Sequence, residues 1–188
     1  MGTTYRIKIN MKPEEVRKNL RNLARVLSGK DQTHNSFRQK FWGIFTREMF
    51  RRIQASYRAR SRGEADDLGN VWHPLKKKTV SRKKREHFRG GLHPGVKVPP
   101  SPHPNFINRD TEELFKSLAM GALGATYKPV EDQVYSLSGS TITLGTSAIH
   151  SEAVNRRRKL IPREVGPWVK ESLAIAIQKT VHLVPKLG

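Results

Sequence analysis

Three carboxylates that stand close together are the residues of this chain that could most readily support chemistry. Glu64, Asp66 and Asp67 follow a long arginine-rich segment. Oxygen ligands at such spacing can bind a divalent cation of the kind that supports phosphodiester hydrolysis. A metal-dependent nuclease also needs a general base on a rigid strand or helix, and the sequence indicates none. We therefore favour an acidic turn that neutralises surrounding arginines, with the divalent-ion cluster as the alternative.

A second set of potential metal ligands lies further along the chain, where Glu86 is followed by His87, His93 and His103. Zinc sites usually pair ligands two to four residues apart on rigid elements. The spacing here is loose and prolines flank it, so we interpret these side chains as solvated loop histidines. The sequence predicts no metal and no cofactor.

No nucleophile is recognisable. Ser136, Ser138 and Ser140 alternate in a strand-like segment, without the sharp strand-to-helix turn that exposes a catalytic serine. The chain has no cysteine, which excludes thiol catalysis, disulfides and thiolate metal sites. We therefore predict a protein that is not an enzyme.

The charge of the chain is its strongest bulk property. Thirty-six Lys and Arg residues against 16 Asp and Glu give a net charge of +20, and residues 47–89 hold fourteen basic and five acidic side chains. Such a field attracts polyanions, and lysine and arginine runs bind phosphates by releasing counterions. A solvated charged face is the alternative. The candidate polyanion contacts are the basic side chains of two runs: Lys76, Lys77, Lys78, Lys83, Lys84, Arg85, Arg156, Arg157, Arg158 and Lys159.

The sequence gives no sign of a membrane partner. No apolar run approaches the roughly 18 residues that cross a bilayer. The segment from Met1 to Arg6 has no apolar signal core, and Arg6 stands where myristoylation favours Ser or Thr. We expect a soluble protein that is not exported.

Periodicity predicts the helices. Val16, Leu20, Leu23 and Leu27 predict a helix over about 12–28 that Gly29 closes. A longer helix is predicted from Asp31 or Thr33 to about Arg60, with its apolar stripe as core or, alternatively, as a seam between subunits. That stripe comprises Phe37, Phe41, Ile44, Phe45, Met49, Ile53 and Tyr57. A short helix at about 76–86 has almost no apolar face.

The remaining elements complete an α+β domain. Tyr5, Ile7 and Ile9 alternate as in a strand, residues 125–146 predict a hairpin with Gly139 in its turn, and a helix is predicted on either side of that hairpin, from Asp110 and over about 167–182. The fold class is a small antiparallel sheet packed with several α-helices. We expect one domain over 1–188. Its long basic loops at about 88–108 and 147–160 are predicted to project and contact other subunits.

Four short patterns follow one another along the chain: Trp72-His73-Pro74-Leu75-x3-Thr79, Arg109-Asp110-Thr111-x2-Leu114-x2-Ser117-Leu118, Ile142-Thr143-Leu144-Gly145-Thr146 and Leu160-Ile161-Pro162-Arg163. This order resembles that of the tailed-phage virion morphogenesis proteins, also called tail completion proteins, over roughly residues 37–182. Glu112 departs from the Gly common there in relatives. After the third pattern, relatives often continue with Tyr-Ala and then His, whereas Ala148-Ile149-His150-Ser151-Glu152-Ala153 follows here.

The resemblance implies a non-enzymatic virion protein of the head–tail junction, assembled in the host cytoplasm as a neck or tail-completion ring of about six subunits. Its implied partners are other copies of the chain, adjacent head–tail connector and tail proteins, and DNA in the channel. The matching positions look like fold-defining positions, with Trp72, Pro74, Leu75, Leu114, Leu118 and Gly145 as the expected anchors.

A basic structural protein that binds nucleic acid, such as a ribosomal or nucleoid protein, is the alternative. The charge and the long loops fit it equally well, whereas the order of the four patterns and the well-formed apolar helices fit it less. The effect of salt concentration on binding distinguishes the two hypotheses, because affinity for nucleic acid falls steeply with ionic strength.

Overall fold

The computed structural model describes residues 13–88, 95, 97–107, 113–139, 141–148, 151, 154, 159 and 165–180. The helices with described bounds are α1 Pro13–Leu27, α2 Asn35–Ser61, α3 Lys77–Lys83, α4 Glu113–Ser117 and α5 Gly166–Thr180. Its antiparallel strand pairs are β1 His87–Phe88 with β2 Lys97–Val98, β3 Ala122–Leu123 with β4 Tyr127–Lys128, and β5 Gln133–Ser138 with β6 Thr141–Thr146. The predicted α+β class is confirmed. The predicted strand around Tyr5 lies outside the described residues.

Helix α2 is the centre of the core. Every side chain of its predicted apolar stripe is buried, and so is Phe50, which the stripe had omitted. Phe50 stacks on Tyr127 of β4, with ring centroids 6.3 Å apart. Gly43 brings β3 close, because a Cβ there would stand 2.9 Å from Leu123 Cδ1. The stripe is therefore core of this chain, as the first interpretation had it.

Helix α5 packs along α2. Its buried residues Ser172, Ala176 and Thr180 recur every four positions, so they share one face, and their small side chains allow a close approach of the two helices. Two ion pairs flank the contact. In one, Lys179 Nζ lies 3.1 Å from Glu48 Oε1; in the other, an arginine of α2 lies 2.6 Å from a glutamate of α5.

Glycines follow the ends of α1 and α2. Gly29 has φ 74°, and the Lys30 N–H donates to the Arg25 carbonyl oxygen across the turn. Gly63, with φ 80°, repeats this arrangement after α2. A residue in the left-handed conformation lets the chain satisfy the last carbonyl groups of a helix, and glycine adopts it without strain. The end predicted at Gly29 is confirmed.

The predicted hairpin is confirmed as β5–β6, with Gly139 (φ 52°) in its turn. A hydrogen-bond network attaches its first strand to the end of α4. The Gly121 N–H donates to Tyr127 Oη (2.8 Å), which donates to Gln133 Oε1 (2.7 Å), and Gln133 Nε2 donates to the Ala119 carbonyl oxygen (2.8 Å). These side chains are buried, so the network fixes the positions of β3–β4 and β5–β6 relative to α4.

Gly121 and Gly145 form a matched pair for mutagenesis. A Cβ at Gly121 would stand 2.6 Å from Tyr127 Oη and would also overlap the Lys128 carbonyl oxygen. We expect Gly121→Ala to lower the free energy of unfolding by about 2 kcal/mol because the backbone must shift. A Cβ at Gly145 would meet Val134 Cβ at 3.9 Å, an ordinary contact, so we expect Gly145→Ala to change stability by less than about 0.5 kcal/mol. Urea denaturation of both variants measures the difference, and equal losses would contradict it.

Gly145 does not have the structural role that the sequence predicts. Gly145 was predicted to be a fold anchor, but its backbone does not need a glycine and no close neighbour occupies the space of a side chain. Within the described residues it serves only as the strand partner of Val134.

The prediction that the two loops project is wrong at several of their described residues, and their contact with other subunits stays a prediction. In the first loop, Val98 and Ile107 are each 2% exposed, and the Ile107 N–H donates to the Ser61 carbonyl oxygen at 2.6 Å. In the second, Ala148 is buried and Val154 packs against the core. Proline prevents helix formation here, but it does not prevent isolated apolar side chains from anchoring an extended chain to its own domain.

Candidate polyanion-binding surface

The basic residues around α3 surround an open cavity of about 500 Å³. Its lining consists of charged and hydroxyl side chains: Lys76, Lys78, Thr79, Ser81, Arg82, Arg85 and Glu86. Among these described residues Glu86 is the one acid, and its Oε1 lies 3.0 Å from Lys97 Nζ. The cavity therefore presents a net positive charge. We call this surface the α3 groove.

Helical geometry places two charges of the groove on one face. Lys78 and Arg82 lie four residues apart on α3, Arg85 follows just after the end of the helix, and all three are exposed. Lys77 and Lys84, also predicted as polyanion contacts, are exposed on the neighbouring row. Arg82 was absent from the predicted contacts, although its spacing from Lys78 was the signal that could have identified it.

Lys83 corrects the prediction in the opposite direction. It is only 4% exposed, and its Nζ donates to the Phe106 carbonyl oxygen at 2.7 Å. The Lys83 carbonyl oxygen accepts from the Ser101 N–H at 2.8 Å. A lysine can bury its aliphatic stem and direct its ammonium to a polar partner, and the inward face of α3 offers few apolar alternatives. Lys83 holds the helix in place and is not available to a polyanion.

The proline-rich segment forms the base on which α3 rests. His103 stacks on Phe106 with ring centroids 4.9 Å apart and an interplanar angle of 8°, and the Arg62 guanidinium lies 5.6 Å from the Phe106 ring centre. His103 thus takes part in packing and is not simply a solvated loop histidine. Among the described residues no group of three or more His, Cys, Asp or Glu could hold a metal ion. His93 lies outside them.

The acidic turn is built around Asp66. Its Oδ2 accepts from Ser56 Oγ at 2.6 Å, and its Oδ1 accepts from the N–H groups of Leu68 (3.0 Å) and Asn70 (2.8 Å). Arg60 Nε lies 3.5 Å from Oδ2. Burial opposes the charge of Asp66, but these hydrogen bonds and the Arg60 guanidinium outweigh it, so that the pKa of the carboxyl is lowered.

Asp67 joins the same turn to α5. Its Oδ2 accepts from Trp168 Nε1 at 2.9 Å and lies 3.9 Å from Arg52 Nη1, while Glu64 is exposed. The interpretation of a turn that neutralises arginines is therefore confirmed. These hydrogen bonds engage the two aspartates in linking α2, the turn and α5.

Most of the predicted fold anchors are core residues. Trp72 is 5% exposed, meets the Tyr57 ring edge-on at 5.3 Å, and carries the Arg60 guanidinium 4.6 Å from its ring centre. Leu114 and Leu118 are buried, and Leu75 packs against the core. Pro74 is exposed, so its effect on the fold is confined to the backbone restriction that proline imposes.

Two of the four sequence patterns meet through their hydroxyls. Ser117 Oγ, at the end of α4, lies 2.6 Å from Thr146 Oγ1, at the end of β6. Tyr57 of α2 touches both Trp72 and Phe115, the ring of Phe115 at 5.9 Å. The first three patterns are thus connected through contacts with α2 and with one another.

The chain was compared with known protein families, curated proteins and solved structures. None of them matches. Any functional assignment therefore depends on the residues and on their arrangement.

The second predicted basic cluster is described at one position. Arg156, Arg157 and Arg158 lie outside the described residues. Lys159 is exposed with φ 31°, and its carbonyl oxygen accepts from Arg60 Nη1 at 3.1 Å. The backbone at Lys159 is therefore held next to the guanidinium that covers Trp72.

No helix of the described chain combines the length and the apolar character that a membrane span requires.

Proposed function

We propose that this chain is a non-enzymatic structural subunit of the tailed-phage head–tail junction, a neck or tail-completion protein that works as a homo-oligomeric ring and joins the tail to the capsid. The hydrogen bond between Ser117 and Thr146 is the observation that carries the proposal most. It joins two of the patterns on which the resemblance rests.

The arrangement of the other patterns supports the same proposal. Trp72 and Phe115 both pack on Tyr57, and the backbone at Lys159, next to the fourth pattern, bonds to Arg60. Residues that are distant in sequence and share one packing site act as fold-defining positions. This is the role that the resemblance implies for them.

Charge supplies a mechanism for joining. A closed ring multiplies the net charge of +20 per subunit, so polyanionic neighbours stabilise the ring by offsetting the repulsion between its subunits. Acidic faces of connector or tail proteins and DNA in the channel both meet this requirement. Opposite potentials steer a ring onto its partner and fix their relative rotation, with more effect on association rate and specificity than on affinity.

A basic structural protein that binds nucleic acid remains the second candidate, because each described residue that lines the α3 groove carries a charged group or a hydroxyl. Such a protein would bind nucleic acid without forming part of a particle. The junction protein is expected to remain in purified virions at salt concentrations that release simple nucleic-acid binders.

A genetic experiment tests the proposal. We expect removal of the coding sequence from its parent genome to leave DNA-filled heads and separate tails in lysates viewed by electron microscopy. Expression of the chain in trans should restore joined particles. The same complementation with Arg156, Arg157 and Arg158 changed to Glu should give folded protein but separate heads and tails, because these side chains are predicted to meet the partner.

Other results of this experiment would change or reject the proposal. Heads without DNA would move the protein to an earlier assembly step. Normal infectious particles after deletion, or a parent genome that yields no particles at all, would reject the proposal.

A further inference from the structure

We infer that the α3 groove is a sequence-independent binding site for the phosphodiester backbone of duplex DNA, with Lys76, Lys78 and Arg82 as its principal contacts. The inference deepens the proposed function, on which the location of this contact in the particle rests. The affinity of the groove for DNA belongs to the isolated chain and can be measured without a particle.

The charges of the groove are available to a ligand. Lys76, Lys78 and Arg82 are exposed and form no ion pair with any described residue. The one acid in the lining, Glu86, is engaged by Lys97. A phosphate that enters the groove therefore displaces counterions and no protein carboxylate, which is the condition for favourable counterion release.

The lining favours nucleic acid over a protein partner. Protein–protein contacts usually have an apolar, often aromatic centre, whereas this cavity is lined by lysine, arginine, threonine, serine and one glutamate. Thr79 and Ser81 add hydroxyl groups, which commonly donate to phosphate oxygens. None of the described lining residues has an aromatic ring on which an unpaired base could stack, so a duplex suits this surface better than a single strand.

The dimensions of α3 suit a run of phosphates. Seven residues of helix span roughly 10 Å, and one DNA strand carries a charge for about every 3.4 Å of helix axis. The helix therefore faces about three phosphates, a number that its three principal basic side chains can neutralise.

The groove is also held in shape before a ligand arrives. The Lys83 ammonium bonds to the Phe106 carbonyl oxygen, and the Ser101 N–H bonds to the Lys83 carbonyl oxygen. These two contacts fix the rotation of α3 about its axis, which decides which side chains face outward. A preorganised site loses less conformational freedom on binding than a mobile one.

The test compares two triple variants of the full chain with the same change in net charge. In the first, Lys76, Lys78 and Arg82 are changed to Gln. In the control, three exposed residues of α1 are changed to Gln, namely Arg17, Lys18 and Arg21. Fluorescence anisotropy measures binding to a random-sequence duplex over a range of NaCl concentrations, and circular dichroism checks that each variant is folded.

We expect the groove variant to bind duplex DNA about a hundredfold more weakly near physiological salt, with the slope of log affinity against log salt reduced by about three. The single change Arg82→Gln should lower affinity about fivefold by the same reasoning, and it serves if the triple variant does not fold. The α1 control should remain close to the unmodified chain.

Three results would overturn the inference. Equal losses in both triple variants would show a response to net charge alone. An unchanged affinity in the groove variant would place the contact elsewhere, and tighter binding of poly-glutamate than of DNA of equal charge would point to an acidic protein. If the groove variant loses DNA affinity yet completes particles normally, the groove inference stands and its role at the junction fails. If the groove variant keeps its DNA affinity but cannot join heads to tails, the groove inference fails and a role of these side chains at the junction stands.

Discussion

Trp72→Ala should lower the free energy of unfolding by about 3 kcal/mol, the usual loss for a large aromatic side chain deleted from a core. Trp72 is 5% exposed, lies against the edge of Tyr57 and carries the Arg60 guanidinium over its face. The variant therefore loses apolar burial and a cation–π contact together. Urea denaturation followed by circular dichroism measures the loss, and we expect much of the variant to be insoluble and unable to assemble.

Two further variants make this prediction specific. Trp72→Phe keeps a ring against Tyr57 and should lose roughly half as much stability as the alanine variant. Pro74→Ala changes an exposed residue of the same loop and should cost less than about 1 kcal/mol. A soluble Trp72→Ala protein with unchanged stability would show that this side chain does not anchor the loop.

Asp66→Ala should have an effect of similar size, about 3–5 kcal/mol, because it removes one partner of a buried ion pair. Arg60 is 3% exposed and would remain buried without the carboxylate that lies 3.5 Å from it. The hydroxyl of Ser56 and the N–H groups of Leu68 and Asn70 would lose their acceptor as well. Urea denaturation at neutral pH measures the loss.

The free energy of unfolding, measured as a function of pH, distinguishes the contribution of the Asp66 charge from that of the size of its side chain. The pKa of this carboxyl is lowered in the folded protein, so its charge stabilises the fold above the ordinary carboxyl pKa of about 4, and that contribution is lost as pH falls through the lowered value. Asp66→Asn keeps the size of the side chain without the charge. We expect the unmodified chain to lose more stability than this variant below about pH 4. Parallel profiles would contradict a charged Asp66.

Local patterns predicted the elements whose causes are local. The apolar stripe of α2, the closure of α1 at Gly29 and the turn at Gly139 all follow from periodicity and from the conformations that glycine permits. Phe50 was missed because α2 is covered on more than one side, by α5 and by β3–β4. A stripe describes a helix with one buried face, and the number of covered faces depends on tertiary structure.

The proline-rich segment shows where composition fails as a guide. Val98 and Ile107 are single apolar residues without periodicity, and nothing near them in sequence indicates a partner. Their burial depends on tertiary structure, as the hydrogen bond from the Ile107 N–H to the carbonyl oxygen of Ser61 at the end of α2 illustrates. The hydrogen-bond network through Tyr127 and Gln133 was missed for the same reason, because its members come from separate elements.

The candidate site was predictable as a charge but not as a surface. The run from Lys76 to Arg85 identified a basic element, and the sign of its net charge followed from the sequence alone. Which of its side chains face outward depends on the rotation of α3, which Lys83 sets by bonding to Phe106. Four of the seven residues of this helix are basic. The spacing of Lys78 and Arg82 put these two on one face, but the sequence did not show whether that face or the face of Lys83 points outward.

The pairing of α2 with α5 has a consequence for synthesis of the chain. Helix α2 ends at Ser61 and α5 begins at Gly166, so 105 positions separate the two partners of the largest interhelical contact. Contacts between distant segments form late, and partly synthesised chains expose the apolar surface that awaits them. On the ribosome, the side of α2 that α5 covers stays open to water until α5 itself has been synthesised. Chaperone capture during elongation then competes with aggregation, and a premature stop before α5 leaves that surface permanently uncovered.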